Sequence, residues 1–209
     1  VHLKVNIEKD QVRVKDQEVN YVEHIYMMLH KPAGYVSATR DAKEKTVIDL
    51  LPKEVQHYAP FPVGRLDKDT EGLLLLTNDG KLAHILTSPR RNIPKTYYAR
   101  IDGVVTSQDV EAFKKGVPLD DGYVTKPAIL NILRSGEISE IELTITEGKF
   151  HQVKRMFLSV NKQVTYLKRI KMGALILDQE LKKGQSRHLT PEELTYCQSL
   201  KEGVHGSTH

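Results

Sequence analysis

The segment Gly64-Arg65-Leu66-Asp67-Lys68-Asp69-Thr70-Glu71-Gly72-Leu73-Leu74-Leu75-Leu76-Thr77-Asn78-Asp79-Gly80 sets a densely charged turn directly against four consecutive leucines. A strand that apolar belongs in a core, so residues 73–77 read as a buried strand and the turn before them is anchored to it. Arg65 and Asp67 stand two residues apart in that turn. A carboxylate held rigidly beside a cation is the kind of preorganised pair that covalent or electrostatic catalysis needs. The cation also keeps such a carboxylate ionised on a cleft floor. Two plainer readings stand beside this one. Asp67 is also what a turn acid preceding a core strand looks like. Asp67-x-Asp69-x-Glu71-Gly72 matches the opening of a calcium loop, but the twelfth position is Asn78 instead of a bidentate Glu, and the loop's middle is leucine.

Charge is informative through its placement. The 209 residues carry 31 Lys+Arg against 27 Asp+Glu, a net charge of only +4. Residues 146–188, however, hold Lys149, Lys154, Arg155, Lys162, Lys168, Arg169, Lys171, Lys182, Lys183 and Arg187 against Glu147, Asp178 and Glu180. Residues 89–100 add Arg90, Arg91, Lys95 and Arg100 with no acid, whereas residues 106–142 lean acidic. Such asymmetry fits a nucleic-acid face and a solvent face, although charge runs also simply solvate helices. The single cysteine, Cys197, excludes an intrachain disulfide and a Cys-rich metal site, and points to a reducing, cytoplasmic setting. No apolar run approaches the roughly 20 residues needed to span a bilayer, and no signal-like segment opens the chain, so no membrane partner is expected. At this length the chain can bury a real core in one or two domains.

Along the chain, residues 1–20 alternate apolar and charged, as short strands around an Asp10-Gln11 turn. Residues 25–29 form a compact apolar strand ended by Lys31-Pro32-Ala33-Gly34. After the leucine strand, Asn78-Asp79-Gly80 caps a short helix to about Leu86, stopped by Ser88-Pro89. Residues 97–101 and 140–147 alternate as half-buried strands. Thr106-Ser107-Gln108-Asp109 is a capping box whose helix stops at Gly116. Residues 150–160 place Val153, Phe157 and Val160 on one helical stripe, with Lys154 and Arg155 off it. Thr190-Pro191-Glu192-Glu193 opens a last helix. Strands and helices interleave without a regular βαβ period. The fold expected is therefore α+β, a mixed and mostly antiparallel central sheet with flanking helices.

Three separated pieces bear the chemistry: Arg65-Leu66-Asp67, Lys95-Thr96-Tyr97, and residues 148–157, Gly-Lys-Phe-His-Gln-Val-Lys-Arg-Met-Phe. Taken singly, Tyr97 points either to the core or to a site, Lys154 reads as a solvated helix residue, and His151 as a helix cap. No His pair has zinc-ligand spacing and no Gly-rich phosphate loop appears, so neither a metal nor a nucleotide cofactor is indicated. A glycosidase using Asp67 and Glu71 is disfavoured by the absence of Trp and of sugar-platform aromatics.

Together the pieces, in order, resemble the motifs of the RsuA/RluB-type RNA pseudouridine synthases. The resemblance runs from about Tyr26 to about Leu194. It includes the opening Tyr26-Met27-Met28-Leu29-His30-Lys31-Pro32-Ala33-Gly34, with His30 where Asn is usual, then Ser88-Pro89-Arg90, and a tail of Gly173, Leu177-Asp178, Gly184 and Arg187-His188-Leu189-Thr190. It implies the synthase fold, with residues 23–200 as the catalytic domain, residues 1–22 as the remnant or linker of an S-four-like RNA-binding domain, and residues 201–209 as a flexible or appended tail. The reaction implied is isomerisation of uridine to pseudouridine in ribosomal RNA, with no cofactor. Asp67 would be the catalytic residue, Lys154 the basic residue paired with it, and Tyr97 the ring packed on the uracil. Arg65, Arg90, Lys95, Lys149, His151, Gln152 and Arg155 would bind RNA. Thr125-Lys126-Pro127-Ala128 and residues 151–157 look most like the branch acting on small-subunit (16S) ribosomal RNA, free or in an assembling subunit, and the family suggests a monomer. The alternatives are a large-subunit (23S) synthase and a non-catalytic RNA-binding assembly factor.

Overall fold

The computed structural model describes residues 23–206. The leucine run is the strand β3 (Glu71–Thr77), and every one of its residues is buried. Alternation then splits it between two cores. Leu73 and Leu75 join one cluster with Met28, Leu82 and Leu86, and Leu74 and Leu76 join another with Leu29, Val47, Val55 and Leu66. Coverage on both faces favours apolar residues at successive positions, and each leucine contributes about 2 kcal/mol of transfer free energy.

Around it the chain runs β1 (Tyr26–Lys31), a 3-10 turn at Val47–Leu50, α1 (Lys53–Gln56), β2 (Phe61–Pro62), β3, α2 (Gly80–Thr87), a 3-10 turn at Pro89–Arg91, β4 (Lys95–Asp102) and α3 (Ser107–Lys115). It continues through β5 (Ile129–Arg134), β6 (Ile138–Ile145), α4 (Gln152–Ser159), β7 (Gln163–Met172), β8 (Leu175–Ile176), β9 (Ser186–His188) and α5 (Pro191–Gly206). The strands form one sheet in the order β5-β6-β4-β7-β3-β1-β9, with β2 on β3 and β8 on β7. All pairings are antiparallel except β3 with β7. The architecture is α+β with a mixed, mostly antiparallel sheet, as the interleaving implies.

The parallel pair is the seam of the molecule. It is short, Glu71 and Gly72 against Lys168 and Arg169, and Gly72 has φ +116°. A Cβ at Gly72 would overlap the Arg169 carbonyl, so only glycine lets the two strands meet. On the β4 side a third core is closed by α3 and α4, whose Phe113 and Phe157 rings pack edge to face at 5.0 Å.

The capping signals hold. Asp79 accepts from Leu82 N to open α2, Thr106 and Asp109 form their reciprocal box, and Thr190 and Glu193 do the same before α5. Helix α4 begins two residues later than the expected 150, because His151 sits at φ +50° outside the helix and makes no side-chain cap bond. Helix α5 runs through residues 201–206, which the sequence reading gave to a tail. The expected strands and domain remnant in residues 1–22, and the tail at 207–209, lie outside the described residues. Among the described residues, no helix is long and apolar enough to cross a membrane.

Candidate active site

The turn before β3 is fixed from two sides. Ser37 Oγ donates to Leu66 O at 3.0 Å and accepts from Leu66 N at 3.1 Å, pinning the residue between Arg65 and Asp67. From beneath, Lys31 is fully buried, its Nζ donating to the carbonyls of Pro32 and Lys68 at 3.0 Å and of Thr70 at 2.8 Å. Burial pushes the Lys31 ammonium down to about 8, against the pull of Asp69, Glu71 and Asp67. From the sequence Lys31 reads as part of an ordinary turn. The available signal was a lysine closing an otherwise apolar strand, where a solvent-facing charge has no room.

Asp67 leaves this turn about one-third exposed and faces α4. Lys154 Nζ lies 3.4 Å from Asp67 Oδ2, and His151 Nε2 lies 3.5 Å from Asp67 Oδ1, an ion pair whenever the imidazole is protonated. Lys154 also reaches Asp69, at 2.9 and 3.3 Å, and this contact is the main cause holding the Asp69 carboxyl below the usual aspartate range. Tyr97, on β4, lines the same pocket of about 80 Å³ together with Arg65, Lys149 and Gln152. Its ring also packs against two of the three cores, so it is both structural and site-facing.

The loop carrying residues 147–152 is held by a polar network. Glu147 is buried; it accepts from Tyr123 Oη, from Lys126 N at 2.8 Å and from Gln152 Nε2 at 2.9 Å. Burial pushes its carboxyl up, but those three donors leave it below the usual glutamate range. Gln152 in turn accepts from Lys149 N at 2.9 Å. Arg155 is committed to Asp120 and Asp121 at 2.7 and 3.0 Å and to the Phe150 carbonyl at 2.8 Å. Both side chains therefore brace the loop. Phe150 itself is 74% exposed and stacks on the His151 ring at 3.8 Å.

Of the residues singled out in the sequence, the fold brings Arg65, Asp67, Tyr97, Lys149, His151, Gln152 and Lys154 to one pocket. Lys95 lines the adjoining cavity. Arg90 does not join them and lines a separate groove with Arg91, Ile85 and Gly203. Among the described residues, no group of three His, Cys, Asp or Glu side chains stands ready to hold a metal ion. What the pocket offers is a carboxylate flanked by an ammonium and an imidazole, with an aromatic ring in the wall. Those are the parts of nucleophilic or acid–base chemistry on a planar, ring-bearing substrate.

The family model for RNA pseudouridylate synthase matches residues 25–159, a span that contains Asp67, Tyr97 and Lys154. The chain belongs to the RNA pseudouridylate synthase family. An uncharacterised RNA pseudouridine synthase of Bacillus subtilis is 48% identical over 191 residues, 91% of this chain and 80% of that protein. The ribosomal small subunit pseudouridine synthase A of Escherichia coli is 42% identical, covering 81% of this chain and 72% of its own. The ribosomal large subunit pseudouridine synthase B of Bacillus subtilis is 37% identical, covering 92% and 79%. A solved pseudouridylate synthase structure superimposes with a TM-score of 0.79 at 36% identity, over 85% of this chain and 75% of the other. The synthase is thus an isomerase acting on RNA, and its fold is that of its relatives.

Proposed function

We propose that this synthase converts a uridine of ribosomal RNA to pseudouridine, with the small-subunit 16S molecule as its substrate and Asp67 as the catalytic residue. The observation that carries the reading is Asp67 held between Lys154 at 3.4 Å and His151 at 3.5 Å, in the pocket that Tyr97 walls. In the reaction the bond from uracil nitrogen to the sugar breaks, the base turns, a carbon–carbon bond to carbon 5 forms while the proton on carbon 5 leaves, and the freed nitrogen takes up a proton. Nothing is oxidised or reduced, and no group donor is consumed. Asp67 supplies the nucleophile or base that starts the sequence, at the sugar or at the ring. Lys154 balances and orients its charge. Tyr97 packs on the uracil and stands where the leaving proton is taken.

A bond buried in stacked RNA has to be exposed, so the target nucleotide flips out at a cost of a few kcal/mol. Arg65 and Lys149 at the pocket mouth offer contacts to phosphate, and the exposed Phe150–His151 stack offers a flat face to bases. Support for the 16S molecule comes from residues 125–128 and 151–157 and from the relative named for the small subunit. The large-subunit relative covers more of this chain at lower identity and favours 23S RNA as the second reading. Tritium release from RNA labelled at uracil carbon 5 tests both. Release from small-subunit particles alone is expected; release from large-subunit RNA alone would reassign the substrate.

A further inference from the structure

Beside the catalytic pocket lies a second cavity of about 320 Å³ that shares Arg65, Tyr97, Gly148 and Lys149 with it. Its walls add the cations Lys95, Lys126 and Arg169. The lone carboxylate there is Glu147, and its oxygens are already taken by Tyr123, Lys126 N and Gln152. Among the described residues, none of Arg65, Lys95, Lys126, Lys149 and Arg169 has a carboxylate within ion-pair distance. Elsewhere partly buried cations have partners: Arg187 pairs with Asp178 and Glu193 and Lys201 with Asp79, while the fully buried Lys31 donates to three carbonyls. Lys126 Nζ donates to Asn92 Oδ1 and Lys149 sits over the Tyr123 ring, so neither charge is neutralised, and a concave wall lined by cations with no free carboxylate attracts an anion.

Arg169 sharpens the point. It is 3% exposed, its Nε donates to Leu73 O at 3.0 Å, and its Nη2 has no partner. A buried guanidinium donor left open in a cavity wall is a preset contact for an oxyanion. The Gly72–Arg169 pairing at the sheet seam fixes the Arg169 backbone, and the Nε bond to Leu73 O holds its guanidinium in the wall.

We propose that this cavity is a phosphodiester subsite, which receives the RNA backbone next to the flipped uridine through Arg169, Lys95 and Lys149. The inference rests on the reading of RNA as the substrate. Because Arg65, Tyr97 and Lys149 belong to both cavities, an occupant of this one lies within one nucleotide of the reacting base. Burial and the neighbouring Arg169 charge both push the Lys95 ammonium down, which is the state expected of a cation waiting for its anion.

The test is Lys95→Met, which keeps the stem and removes the charge. Removing an unmatched cation should raise the melting temperature of the free protein while weakening binding of a short oligouridylate by about tenfold or more at low salt. The slope of log affinity against log salt should shrink by roughly 0.7, the share of one single-stranded phosphate. A second arm compares inorganic phosphate with chloride at equal ionic strength: phosphate should raise the melting temperature of wild type and not that of Lys95→Met. Unchanged oligouridylate affinity and slope in Lys95→Met overturns the subsite, and if phosphate still stabilises only wild type, the cavity is a free-anion site. Failure of wild type to release tritium from either ribosomal RNA, with the binding pattern as expected, sinks the ribosomal-RNA substrate reading and leaves the subsite standing.

Discussion

Asp67 and Asp69 share one ammonium group. Lys154 is nearer to Asp69, yet Asp69 is largely exposed and that contact is screened, whereas Asp67 is on the pocket floor. Lys154→Ala should therefore cut turnover by about a hundredfold or more with RNA affinity changed far less, and Asp69→Asn should stay within about fivefold of wild type. Single-turnover tritium release beside a binding titration checks both; equal damage from the two variants would mean that Lys154 serves the loop and not Asp67. Lys31 is the other decisive side chain. Lys31→Met removes the donor shared by three carbonyls under the Asp67 turn, of which the buried one is Thr70 O, and should cost about 1–3 kcal/mol in urea denaturation, with turnover falling alongside. Resemblance made Asp67, Tyr97 and Lys154 legible, because motif order survives in sequence. The bracing roles of Gln152 and Arg155 were not legible, since their partners Glu147, Asp120 and Asp121 are set by folding, and a polar residue beside Lys154 looks the same whether it faces RNA or the core.

Strands and helices were readable where one local pattern dominated. Four leucines announced β3, and three capping boxes or caps placed α2, α3 and α5. Strand β7 was missed because its stretch, Gln163-Val164-Thr165-Tyr166-Leu167-Lys168-Arg169-Ile170-Lys171-Met172, is crowded with cations, and only pairing on both sides makes it a central strand. Helix α5 runs on past residue 200, and in the added turn Lys201 reaches back to Asp79 at 2.6 Å. Burial pushes the Asp79 carboxyl up, but Lys201, Tyr26 and Leu82 N together hold it at about 2. A carboxyl lowered by folding stabilises the protein above its unfolded value near 3.8 and loses that contribution as pH falls towards 2, roughly 2 kcal/mol in all. Melting curves of wild type and Asp79→Asn should accordingly converge between pH 4 and 2, and a gap that stays constant there would remove Asp79 from the acid response.

The whole molecule is two sheet halves joined at the short β3–β7 pair, with the candidate site at that joint. Asp67 comes from the β3 side, Tyr97 from β4, and Lys154 and His151 from α4 and the residue before it, so neither half carries the constellation alone. The α+β class and the mostly antiparallel sheet followed from irregular interleaving of elements, but the joint did not, because it depends on Gly72 admitting the Arg169 backbone. The cationic half of the sequence likewise resolved into two kinds of charge: Arg155 and Arg187 are matched within the fold, whereas Arg65, Lys95 and Lys149 gather around the pocket. The central claim is that Asp67 carries out uridine isomerisation in ribosomal RNA. The most direct measurement is tritium release from carbon-5-labelled uridine in small-subunit particles that lack the modification, with wild type and Asp67→Asn compared in EDTA. The account predicts release by wild type and background release by Asp67→Asn, with RNA binding intact in both. Release by Asp67→Asn at the wild-type rate would contradict it.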